Sequence, residues 1–192
     1  MMAGNTRNSS GYRASRLRLV AWAGAVTMLL LPAIAMQFTE EVNWQVADFV
    51  VFGALLFGAG IAYELAVRMT PNASYRVAAG LALAAGFLLA WLSLGVGVIG
   101  RDGDPANLMF FGVLGVGIVG ALMARFRPAG MAWALFATAL AQGLAAGIAL
   151  MAKLGQPWSG PFEILLLNGF FVAMFSVAAL LFLQAERQGS AA

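Results

Sequence analysis

Carboxylates and amides are the side chains with chemistry to offer here, and they cluster. The stretch Gln37-Phe38-Thr39-Glu40-Glu41-Val42-Asn43-Trp44-Gln45 runs on to Asp48. Glu40, Glu41, Asn43 and Asp48 present oxygen donors, the type that hard cations such as Ca²⁺ or Mg²⁺ take. With Trp44 they also suit contact with a ligand or with a basic segment of a partner. Glu163, close in sequence to Trp158, is the further acid expected to converge on them. The plainer reading of the same residues is an interfacial connection. In it Thr39 caps a short helix that starts at Glu40, with Glu40 and Glu41 in the first turn. Trp44 then sits at headgroup level, where its amphipathic ring is favoured. The plainer reading is preferred, because acidic loops are usually just solvated. No metal and no cofactor is assigned.

The sequence contains no Cys and no His. That removes thiolate nucleophiles, imidazole bases, His-ligated haem and the usual zinc sites. An enzyme built on this chain would need carboxylate or metal-assisted chemistry at one rim. The chain is therefore expected not to be an enzyme.

The elements that position these residues follow from composition. Of 192 residues, 62% are hydrophobic and 10% charged, against about 25% charged in a soluble domain. Six apolar runs cover residues 19–36, 49–67, 77–99, 108–124, 131–152 and 164–183. Each is about the length that crosses a bilayer core as a helix. The fold class is all-α: a polytopic transmembrane helical bundle of six spans. The basic residues before the first run, and Ala33-Ile34-Ala35 at its end, also match a signal peptide, which would leave five spans. A retained span is preferred because the run is long and feeds directly into the patterned segment.

Residues 1–18 read as a disordered cytoplasmic segment, 19–187 as one transmembrane domain and 188–192 as a cytoplasmic tail. With the N-terminus inside, Arg7, Arg13, Arg16, Arg18, Arg68, Arg76, Arg125, Arg127 and Arg187 fall on the cytoplasmic side. Arg101 and Lys153 fall outside. Nine against two is the positive-inside pattern. Basic residues form no stripe, so nucleic acid is not an expected partner. Asp104-Pro105 and Gly160-Pro161 with Glu163 read as helix starts, and Asp48 as the cap of the second helix. A constant offset of 59 aligns Phe49, Gly53, Gly58 and Arg68 with Leu108, Gly112, Gly117 and Arg127. It leaves open a parallel duplication in which helices 2–3 and 4–5 are equivalent hairpins.

Inside the apolar runs the one ionisable residue is Glu64, one turn before Arg68 and suited to pair with it. Ion-coupled carriers usually need carboxylates or bases at depth. The polar residues there are Ser93, Thr138, Gln142, Asn168 and Ser176. Gln142 and Asn168 read first as interhelical glue, each bond worth about 0.6–2 kcal/mol, and second as the lining of a path. Gly143 and Gly147 make a GxxxG pair on the same helix as Gln142, which allows close backbone approach within or between protomers.

The run Met36-Gln37-Phe38-Thr39-Glu40-Glu41-Val42-Asn43-Trp44, followed by Asp48-Phe49 and Leu55-Leu56-Phe57-Gly58, resembles a group of small multi-pass bacterial membrane proteins. In that group an M-Q-F-T-x-E-V-N-W segment follows the first span. The likeness covers residues 33–64. It implies a bacterial inner-membrane location and a retained first span, and it implies no activity. The expected function is a non-catalytic structural, accessory or assembly subunit, with the lipid bilayer and a membrane-protein partner or second copy as its contacts. The alternative is a small carrier or channel for a neutral or lipid-like molecule. An enzyme acting at the outer face ranks below both.

Overall fold

The computed structural model describes residues 6–40 and 42–190, with side chains from Arg18 onward. It contains six long α-helices: α1 (Thr6–Ala35), α2 (Val46–Met69), α3 (Ala73–Gly95), α4 (Met109–Met123), α5 (Pro128–Met151) and α6 (Pro161–Ser190). A short 3-10 turn (Pro105–Leu108) leads into α4. No strand occurs among the described residues. All six apolar runs form helices long and apolar enough to cross a membrane. The protein is an all-helical, multi-pass membrane protein.

Helix boundaries differ from the sequence expectation where local chemistry moves them. The first helix begins at Thr6, inside the stretch read as disordered. Extending a formed helix adds one backbone bond per residue fixed, so polar residues can continue an apolar helix at little cost. The second begins at Val46 because the Asp48 carboxylate reaches back from the third helical position. Its Oδ2 accepts from the Gln45 backbone N–H at 2.7 Å, which is half of a capping box. At α4 the expectation holds: Asp104 accepts from the Ala106 N–H at 2.9 Å, with Pro105 first in the turn. Glu64 and Arg68 also pair as expected, Nη2 to Oε1 at 3.1 Å. The 59-residue offset aligns residue types more closely than elements. Arg68 lies in the last turn of α2, whereas Arg127 stands just before the first residue of α5.

The expected single domain over 19–187 forms two compact units, Met1–Gly60 and Ile61–Ala192. In the first, α1 and the front of α2 form an antiparallel hairpin. Trp22 stacks on Phe57 with ring centroids 5.8 Å apart, and Leu29 packs over Gly53.

In the second unit α6 is central, with α5 on one flank and α3 on the other, and α4 packs on α5. The core joins small residues to large ones. Phe171, Phe175 and Phe182 of α6 are buried, as are Ala78, Ala85, Ala139 and Ala149 on the helices around them. Small residues let helix backbones approach closely, the means by which helices associate in lipid. Helices α4 and α5 approach closely. A Cβ added at Gly120 would stand 2.7 Å from the Ala134 Cβ.

Candidate functional site

The connection between α1 and α2 is the first candidate. The last turns of α1 wind down through backbone bonds from Met36, Gln37, Phe38 and Thr39 to carbonyls of residues 32–35. Residues 42–45 are then non-helical up to α2. The short helix expected from Glu40 does not form, and Thr39 sits at the end of α1. A turn so close behind one helix leaves no room to start another before the cap at Gln45. Trp44 is half-buried and packs edge-on against Phe49 at 5.1 Å and Phe52 at 5.5 Å. Its ring seats the connection on the start of α2, a pair geometry worth about 0.5–1.5 kcal/mol per contact.

Glu40 and Asn43 are exposed. The Asp48 carboxylate serves the helix start. Glu41 lies outside the described residues. Glu163 belongs to the second unit, in the first turn of α6, where a carboxylate favours the helix dipole. Among the described residues, no group of three or more acidic side chains is placed to hold a metal ion.

The second candidate lies in the middle of the second unit. Gln142 on α5 and Asn168 on α6 are both fully buried. Gln142 Nε2 donates to Asn168 Oδ1 at 2.9 Å, and Asn168 Nδ2 donates to the Ile164 carbonyl at 2.8 Å. Gln142 Oε1 is buried and has no donor. Thr138 and Ser93 turn their hydroxyls back onto the carbonyls four residues earlier, at 2.8 and 2.7 Å. Apart from one amide oxygen, the polar groups of Gln142, Asn168, Thr138 and Ser93 are spent on the protein.

A third site, at one end of this unit, went unnoticed in the sequence. Asn107 is 3% exposed. Its Oδ1 accepts from the N–H groups of Val98 and Ile99 at 2.8 and 3.0 Å. Its Nδ2 donates to the carbonyls of Ile99 and Arg101 at 3.0 and 3.1 Å. One side chain thus completes the backbone of the α3–α4 connection. Gly100, held at φ +71°, comes against Gly155 of the α5–α6 connection: a Cβ on Gly155 would stand 2.8 Å from the Gly100 backbone nitrogen, and one on Gly100 would stand 2.6 Å from the Asp104 carboxylate. Its N–H donates to the buried Ser159 hydroxyl at 2.9 Å. The Arg101 guanidinium stands over the Trp158 ring at 5.3 Å, a cation–π contact. The available signal was an Asn two residues past a Pro, in a loop, where such side chains commonly bond backbone.

At the opposite end, Asn72 caps α3 by accepting from the Tyr75 N–H at 3.0 Å, and its amide reaches the Ala185 carbonyl at 3.4 Å. Tyr75 donates its hydroxyl to the Phe126 carbonyl at 2.8 Å and packs edge-on against Phe182 at 4.9 Å. These bonds tie α3, the α4–α5 turn and α6 together.

Neither family models, nor curated proteins, nor solved structures give a match to this chain.

Proposed function

We propose that this chain is a non-catalytic structural or accessory subunit of a bacterial inner membrane, threaded with both ends in the cytoplasm. The Gln142–Asn168 pair carries the reading. A transport path would keep such amides facing water or solute, whereas here they close on each other at 2.9 Å, both fully buried. Direct pairing of this kind holds helices in register. The rims support the same reading. Asn107, Ser159, Tyr75 and Asn72 each complete backbone groups of the fold. The threading follows from the distribution of basic residues, nine on the cytoplasmic side against two outside.

Purification in mild detergent tests the function. A membrane-protein partner or a second copy in fixed ratio is expected. A lone chain that carries a neutral solute across vesicles would overturn the reading in favour of a carrier. The threading is tested with a Cys placed at position 43, since the chain has none of its own. A membrane-impermeant maleimide added outside should label it, and labelling from the cytoplasmic side alone would reverse the orientation.

A further inference from the structure

The end of the second unit that holds Tyr75 carries cations the chain does not neutralise. Arg76 is in the first turn of α3, and its Nε is buried with no acceptor. A buried donor left unmet is unfavourable, and more so when charged. Arg125 and Arg127 are exposed on the α4–α5 turn.

The fold brings the backbone at these three positions to one end of the unit. Tyr75, the neighbour of Arg76, donates to the carbonyl of Phe126, which sits between Arg125 and Arg127. Arg125 and Phe126 both take left-handed backbone, at φ 50° and 58°. The turn is thus held in a conformation most residues avoid, and Tyr75 fastens it. None of the three arginines forms an ion pair among the described residues. Glu64, an acid at this end, is taken by Arg68. Arg187 adds a further cation from the last turn of α6.

The surroundings are apolar and exposed. Leu122, Met123 and Phe126 flank the turn, and Val77 follows Arg76. A cationic rim above an apolar helical surface matches an amphiphile with an anionic head and an apolar tail. Guanidinium groups suit phosphate through their planar fork of donors. An acidic peptide would match the charge but not the apolar surface running down the helices.

We propose that this rim is a binding site for the phosphate headgroup of an anionic phospholipid, with Arg76, Arg125 and Arg127 as its cationic contacts. The inference goes beyond the accessory-subunit reading and does not depend on it.

The test uses the full chain in phosphatidylcholine vesicles carrying either spin-labelled phosphatidylglycerol or spin-labelled phosphatidylcholine. The wild type should favour phosphatidylglycerol. Each arginine near the surface is worth about a fivefold preference, so Arg76→Gln should lower selectivity by roughly that factor. Arg125→Gln with Arg127→Gln should lower it further. Both replaced residues are exposed, so this pair carries the test if Arg76→Gln fails to fold. Arg76→Lys keeps the charge, loses the fork and should retain part of the preference. Inorganic phosphate at the lipid's concentration should not displace the label. Equal association of the two lipids with the wild type would overturn the proposal. So would unchanged selectivity in the double variant, or full displacement by inorganic phosphate, which would mark a site for a free anion.

Discussion

Asn107 and Gln142 are both amides, both buried, and their situations are opposite. Asn107 uses both lone pairs and both protons on backbone groups. Gln142 makes one bond, to another side chain, and leaves its oxygen without a donor. The difference lies in what surrounds them. A loop at the end of two helices has free N–H and C=O groups, and an amide can complete several at once. The interior of a helix has no N–H to spare, since its backbone donors are already paired, so an amide oxygen there finds only other side chains, while an amide proton can still share a carbonyl, as that of Asn168 does with Ile164. Asn107 therefore determines a loop conformation, while Gln142 aligns two helices that Phe and Ala packing already holds.

Replacing Asn107 with Leu should be the most damaging change at either site. It strips the partner from the Val98 and Ile99 N–H groups and from the Ile99 carbonyl, each costing about 1–3 kcal/mol when left buried, while the Arg101 carbonyl keeps the Asp104 N–H. A loss of about 3 kcal/mol or more is expected, read as an earlier unfolding midpoint in a mixed-micelle SDS titration followed by Trp fluorescence. Asn107→Asp sharpens the point. It still accepts from Val98 and Ile99 but cannot donate to Ile99 and Arg101, so it should fall between wild type and the Leu variant.

Gln142→Leu should cost about 1 kcal/mol, within the range measured for interhelical hydrogen bonds. It removes the unpartnered oxygen while stranding Asn168 Oδ1. Replacing Asn168 with Leu as well removes both partners together, a change that can be nearly neutral. The double variant is expected to recover most of the single loss in the same titration. A Gln142→Leu loss as large as that of Asn107→Leu would break the comparison and give the pair a role beyond alignment.

What the sequence made legible was local. Six helices followed from run length, the Glu64–Arg68 pair from four-residue spacing, and the Asp104 cap from its Pro neighbour. Gln142 and Asn168 stood out as polar at depth, but their mutual bond depends on how α5 packs on α6, and no spacing encodes that. Asn107 drew no notice, because its value comes from groups up to nine residues away that fold back around it. Thr39 misled for a related reason. A good capping residue caps only if a helix can start behind it, and α2 was already capped from Asp48.

The smallest effect should come from Arg68→Gln. This pair and the Gln142–Asn168 pair both join two side chains, and they differ in exposure. The Arg68 side chain is 63% exposed and its partner Glu64 19%, so water competes for both charges. Exposed pairs at this helical spacing contribute about 0.3–0.5 kcal/mol. The loss should therefore be at the edge of detection and should shrink as salt is added. A loss above about 1 kcal/mol that resists salt would mean that lipid, not water, surrounds the pair, because a lower dielectric strengthens the attraction. In that case the end of α2 sits deeper than its arginine suggests, and the contrast between buried amides and surface charges would need to be redrawn by depth in the membrane.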